Sequence, residues 1–142
     1  MYFCTMNTAS IFDPVRRKAV AHTPEEGVRQ ALIAHLHTVC GAPYTLMSCE
    51  YGLKIGRKPY RADLLLLDRK GRPLLLAECK APCVPVTRAV FEQIMTYNQE
   101  LKVPYLLLTN GSDSYFCRYH LAENRFEALS QIPDYTRMLE SV

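Results

Sequence analysis

From Thr23 onward the chain alternates between stretches with helical spacing of apolar residues and short apolar runs without it. Thr23-Pro24 opens a helix, with a hydroxyl at the N-cap and proline in the first turn. Val28, Leu32, Leu36 and Val39 form its apolar stripe, and Gly41 and Pro43 end it. Residues 45–55 alternate loosely and predict a strand. Gly52, Gly56 and Pro59 interrupt the next stretch, which Lys54, Arg57, Lys58 and Arg61 make basic. Leu64–Leu67 and Leu74–Ala77 are apolar without alternation, and the turn-like Asp68-Arg69-Lys70-Gly71-Arg72 separates them. That pattern predicts a β-hairpin covered on both faces. Thr87–Leu101 predicts a second helix, stopped before Pro104, and Tyr105–Leu108 a further buried strand ended by Asn110-Gly111. Ser114–Tyr119 and Arg125–Leu129 predict a later strand pair, and residues 134–141 a short helix. The order α-β-β-β-α-β, then smaller pieces, predicts an α/β (α+β) fold with a central mixed β-sheet flanked by helices. Residues 1–22 have little periodicity. Pro14 and Arg16-Arg17-Lys18 suggest a solvated N-terminal arm, leaving 23–142 as a single domain.

Composition narrows the class. The 142 residues are 49% hydrophobic and 22% charged, which are globular values that exclude disorder as the dominant state. The net charge of +3 is compatible with nucleic acid without demanding it. No apolar run approaches the ~18 residues of a membrane span. The first residues lack a basic region followed by an apolar core, so a cytoplasmic protein with no membrane partner is expected. The cysteines at 4, 40, 49, 79, 83 and 117 form no C-x-x-C, and the histidines complete no zinc pattern. Reduced, mostly buried thiols are expected. The Asn110-Gly111-Ser112 sequon is discounted without a secretory signal.

The hairpin carries the chemistry. If Asp68 and Pro73 flank its loop, Asp63 faces Glu78 and Arg61 faces Lys80. Residues two apart on a strand share a face, so Glu78 and Lys80 point one way and Cys79 the other. Asp63, Glu78 and Lys80 then converge at the end away from the turn, with opposed Cβ atoms about 4.5–5.5 Å apart. Two carboxylates so placed repel, and a divalent cation between them relieves the repulsion. Mg²⁺ needs only one or two carboxylates when waters and phosphate oxygens complete its shell. A neighbouring ammonium orients water or offsets charge developing on phosphorus. The plain structural explanation is a solvated cluster in which Arg61 and Lys80 neutralise the acids.

These residues resemble a known group. Arg61-Ala62-Asp63 and Glu78-Cys79-Lys80, followed by a helix, resemble the PD-(D/E)XK nuclease superfamily. They are similar in particular to the nuclease domain at the N-terminus of type I restriction enzyme motor subunits. The resemblance runs from Thr23 to Gly111. It includes Thr23-Pro24-Glu25-Glu26 with Arg29, then Ala77 to Pro82, then Gln93-Ile94-Met95-Thr96-Tyr97 and Leu108-Thr109-Asn110-Gly111. Ala62 stands where proline is usual. Gly52–Lys58 is only superficially like G-x-x-x-x-G-K-[ST], so no ATP-driven motor is expected in this chain.

The resemblance implies a restriction-endonuclease-like core and a Mg-dependent nuclease acting on DNA, with Mn²⁺ as a substitute. Asp63 and Glu78 would hold the metal, with the Cys79 carbonyl and the helix acid Glu26 as further ligands. Lys80 would position the attacking water or stabilise the transition state. Gln93 and Tyr97 would line the site and touch the substrate backbone. A homodimer, or a separate specificity or motor protein, is the expected protein partner. The alternative is a catalytically weak or inactive nuclease-fold module that binds DNA or a protein.

Several of these residues have ordinary explanations as well. Thr23 and Glu26 have capping-box spacing, which accounts for Glu26 without a metal. Gln93 and Tyr97 share a helix face with Val90, Ile94 and Leu101; the tyrosine could simply line the core, whereas a buried glutamine amide needs partners. Lys54, Arg57, Lys58 and Arg61 could track phosphates or form a solvated loop.

Overall fold

The computed structural model describes residues 9–142. Ser10–Asp13 (β1) and Lys18–Ala21 (β2) form a small antiparallel hairpin. Pro24–Thr38 (α1) follows, and then a six-stranded sheet begins. Its strands are Met47–Ile55 (β3), Lys58–Leu67 (β4), Pro73–Cys79 (β5), Tyr105–Thr109 (β6), Ser114–His120 (β7) and Arg125–Ala128 (β8). They lie side by side in chain order. Only β5 and β6 run parallel, because the helix Arg88–Leu101 (α2) connects them as a crossover. Tyr135–Glu140 (α3) closes the described chain.

The leucine runs lack alternation because each face of the sheet has its own cover. Leu64, Leu66, Leu75 and Ala77 pack with Val28, Leu32, Ile33 and Leu36 of α1. Leu65, Leu76, Leu106 and Leu108 pack with Phe91 and Ile94 of α2. The buried stripe of α1 therefore uses Ile33 rather than Val39. Val39 lies past the last helical turn, at the C-cap, and is 63% exposed.

The expected register is the observed one over Leu64↔Ala77, Leu65↔Leu76 and Leu66↔Leu75. It slips at the turn, where Leu67 pairs with Pro73. Asp68 organises that turn by accepting from the backbone N–H groups of Lys70 and Arg72, each at 2.9 Å. Of the interruptions expected from Gly52, Gly56 and Pro59, only the one at Gly56 occurs; Gly52 and Pro59 lie within β3 and β4. Gly56, at φ 63°, makes the tight turn between β3 and β4. Pro59 lies where β4 has β3 on one side only, so its missing N–H leaves no buried acceptor unpaired.

The expectation of a solvated arm also fails over its described part. Residues 10–21 are the β1–β2 hairpin, and its buried Asp13 accepts from Val15 N–H at 2.7 Å. Arg16 forms ion pairs with Asp13 and with Glu26 of α1, so it is not part of a free basic run. Residues 1–8 of the expected arm, with Cys4, lie outside the described residues. Cys40, Cys49, Cys79 and Cys117 are free thiols. Cys83, in the exposed loop after β5, is disulfide-bonded, against the expectation. The sequon asparagine is closed to modification in the folded chain: Asn110 is buried, donating to Val84 O and accepting from Ser112 and Asp113 N–H. Among the described residues no helix is long and apolar enough to cross a membrane.

Thr87 caps α2 by accepting from Val90 N–H, and Lys102 ends it in the left-handed region at φ 59°. Asn98, fully buried, then takes both backbone groups of Val103, at 2.9 and 2.8 Å, and so fixes the path into β6. Asn98→Ala is expected to lower stability by about 2–3 kcal/mol in urea unfolding, because two buried backbone groups lose their partners. Gln99→Ala, on the exposed side of the same turn, should change it by under about 0.5 kcal/mol.

Candidate active site

The site begins with a break in β4. Tyr60 and Ala62 pack on the α2 face together with Leu65 and Leu67, whereas Leu64 and Leu66 pack on the α1 face. Regular alternation cannot place 62 and 65 together, so the strand changes phase around Asp63. On the neighbouring strand the pairing passes from Cys49↔Leu64 to Tyr51↔Ala62 over Glu50, whose φ is 53°. The ladder to β5 ends at Leu64↔Ala77, one residue short of Asp63 and Glu78. Asp63 Oδ2 instead accepts the backbone N–H of Cys79 at 2.7 Å.

Glu78 stands beside it. Burial, then the Asp63 charge, pushes the Glu78 carboxyl up to about 8, while the Tyr60 hydrogen bond and the Lys80 charge act in the opposite direction. Tyr60 donates its hydroxyl to Glu78 Oε1. Burial and the Glu78 charge raise the phenol's own pKa, so it remains a donor. Tyr60, Arg61, Glu78, Lys80, Gln93 and Tyr97 line one cleft of about 220 Å³. A larger hollow of about 480 Å³, beside His22 and Asn110, has no carboxylate, lysine or arginine in its wall.

The structure thus brings together Asp63, Glu78, Lys80, Gln93 and Tyr97. Gln93 is exposed and donates Nε2 to Tyr97 Oη at 2.8 Å. The Tyr97 ring meets Tyr60 edge-on, with centroids 5.5 Å apart. These α2 residues rim the cleft; the buried side of the helix is Phe91, Ile94 and Asn98, and Val90 is 38% exposed. Lys54, Arg57, Lys58 and Arg61 are exposed, and none has an ion-pair partner among the described residues.

Glu26 is placed differently from the expectation. Its N–H is capped by Thr23 Oγ1 at 3.1 Å, but its carboxylate turns to Arg16, Arg29 and Gln30. Only half of the capping box forms, and the carboxylate is held by three other side chains. Glu25 is the α1 acid that senses the site: partial burial and then Asp63 raise its pKa, against the pull of Arg29 and Lys80. The Cys79 side chain is in the core on the α1 face. Its thiol is pushed up to about 12, first by burial and then by Asp63, so only its backbone could serve a metal. Sequence reasoning missed Tyr60 and Glu25. Tyr60 gave no signal, because strand alternation alone does not predict that it meets Glu78.

The donor set fits a hard divalent cation that keeps water. Among the described residues no cluster of three or more His, Cys, Asp or Glu is assembled. Two converging carboxylates, one with raised proton affinity, match the Mg²⁺ pattern in which waters and phosphate oxygens complete the shell.

The sequence signature of the type I restriction enzyme R protein N terminus (HSDR_N) matches residues 24–133, and the chain belongs to this family. The fold is similar to that of a fragment assigned as an HsdR subunit of a type I restriction enzyme from Vibrio vulnificus YJ016. The TM-score is 0.53 and the identity 19%, over 82% of this chain and 25% of the other. The chain thus spans about a quarter of that structure. No curated protein is similar enough to match.

Glu78 binds its proton more tightly folded than unfolded, so its contribution favours folding at low pH and is lost as pH rises from about 4.5 to about 8. In EDTA, wild type should therefore lose melting temperature across that window relative to Glu78→Gln. The variant should melt several degrees higher at the alkaline end. Parallel pH profiles for the two proteins would show that Glu78 carries no such penalty.

Proposed function

We propose that this member of the R-protein N-terminal family is a metal-dependent nuclease module that hydrolyses DNA phosphodiester bonds. The observation supporting it most strongly is the convergence of Asp63 and Glu78 at one point beside Lys80, with a charge conflict that a cation would relieve. Asp63 and Glu78 would hold Mg²⁺, or Mn²⁺ in its place, with the Cys79 carbonyl as a further ligand. Glu25 is a better candidate for the α1 carboxylate than Glu26, whose oxygens are taken. The ion would supply Lewis acidity and a more acidic bound water.

The chain's own residues do the rest. Lys80 offsets negative charge growing on the phosphate and orients the attacking water. Tyr60 fixes one oxygen of Glu78. Gln93 and Tyr97 exchange their mutual bond for contacts to the substrate backbone. Lys54, Arg57, Lys58 and Arg61 run from the β3–β4 turn toward Asp63 and follow the phosphates, which gives affinity with little sequence preference. Specificity and translocation would come from a second copy, or from other domains or subunits, of a cytoplasmic restriction assembly.

Supercoiled plasmid should be cut with Mg²⁺ or Mn²⁺ and not with EDTA. Asp63→Ala, Glu78→Ala and Lys80→Ala should each lower the rate by at least about 100-fold while the protein stays folded. Mn²⁺ should raise the melting temperature of wild type but not of Asp63→Ala. DNA retention without cutting under any metal would select the alternative, a binding module of the same fold.

Replacing Lys54, Arg57 and Lys58 together by alanine should weaken binding about equally for unrelated sequences. The slope of log affinity against log salt should flatten by about one for each phosphate that is no longer neutralised. An unchanged slope would place these residues outside the interface.

A further inference from the structure

The peptide of Asp63 lies at a kink. It falls between the β3–β4 pairs Cys49↔Leu64 and Tyr51↔Ala62, and beyond the last β4–β5 pair. A carbonyl this close to the core needs another partner. Arg29 of α1 supplies it, donating Nη1 to Asp63 O at 3.2 Å. Arg29 is itself buried, at 5% exposure, and a buried guanidinium persists only where anions hold it. Glu26 Oε2 is 3.4 Å from Arg29 Nε and also accepts from Gln30 Nε2 at 3.1 Å. The other Glu26 oxygen accepts from Arg16 Nη2 at 2.6 Å. Arg16 in turn is bound to Asp13, which no solvent reaches and which also accepts from the N–H groups of Val15 and Arg16. A continuous chain thus runs from the β1–β2 hairpin, which precedes the family signature, through α1 to the backbone of Asp63.

We propose that Arg29, ion-paired with Glu26, which Arg16 of the N-terminal hairpin holds in turn, is a positioning residue for the Asp63 carboxylate. Arg29 stands in for the missing ladder partner and keeps β4 in the phase that turns Asp63 toward Cys79 N–H and Glu78. The hairpin is then part of the site's support rather than a peripheral arm. This deepens the metal-site reading and rests on it where ion affinity is concerned; the effect on the Asp63 backbone does not.

The test uses the full chain with Arg29→Lys, which keeps the charge beside Glu26 but loses the planar fork, and Arg16→Met, which cuts the chain two links away. Amide hydrogen exchange reads the Cys79 N–H bound by Asp63, with Leu106–Leu108 as the control. Calorimetry reads Mn²⁺ affinity. Both variants should speed Cys79 exchange, Arg29→Lys by about 10-fold or more, while the control amides keep their protection. Mn²⁺ affinity should fall about 10-fold in Arg29→Lys and less in Arg16→Met. A lower melting temperature with Cys79 exchange and Mn²⁺ affinity unchanged would overturn the proposal and leave the network a stabilising one only. If wild type shows no Mn²⁺ binding that Asp63→Ala removes, the metal reading falls. The exchange rates then still decide the brace: faster at Cys79 upholds it, and unchanged rejects it.

Discussion

Two carboxylates opposed at the end of an apolar hairpin are the constraint on which the rest of this structure turns. Asp63 and Glu78 stand where the leucine-filled strands stop, and burial together with mutual repulsion raises the proton affinity of Glu78. Nothing in the core needs them there; a pair of apolar residues would continue the sheet at lower cost. The surrounding chain compensates locally. Asp63 takes a backbone N–H, Glu78 takes the Tyr60 hydroxyl, and Lys80 adds a positive charge nearby. These partners lessen the conflict without removing it, and the conflict remaining is what a divalent cation would relieve.

The position of the pair follows from topology. β5 and β6 are the parallel strands, joined by α2, and Glu78 and Cys79 lie at the carboxyl end of β5 beside Thr109 at the end of β6. In open α/β sheets that end is where crossover connections leave a crevice. Here α2 forms one wall with Gln93 and Tyr97, and the kinked β4 forms the other with Tyr60 and Arg61. Both faces of the sheet behind the cleft are packed with leucine. This end of the sheet can therefore carry unfavourable charge and an irregular strand without loosening the fold.

Much of this was legible in the sequence. Unbroken leucine runs flanking Asp68–Arg72 predict the hairpin, and the expected pairing is the observed one over Leu64–Leu66, stopping one residue short of Asp63 and Glu78. Thr23-Pro24 and Thr87 marked helix starts because a hydroxyl cap is a local signal. What could not be read was decided by long-range partners. Adjacent acids on a first helical turn look alike in sequence; Arg16, ten residues earlier, together with Arg29 and Gln30 commits Glu26, while Glu25 is left to feel the Asp63 charge. The phase change at Asp63 lies opposite Glu50, which adopts φ 53° in the neighbouring strand. Tyr60 reaches Glu78 on the same face as Leu65, which alternation counted from the leucines would deny. The hairpin of residues 10–21 escaped notice because its strands are only four residues each, too short to show a period.

The most direct measurement is the anomalous scattering of Mn²⁺ in crystals of the wild-type protein. A single strong peak shared by the carboxylates of Asp63 and Glu78 is expected, lost in crystals of Asp63→Ala. At saturating Mn²⁺, no peak there, or one held by other residues while these two carboxylates remain unliganded, would contradict the metal site.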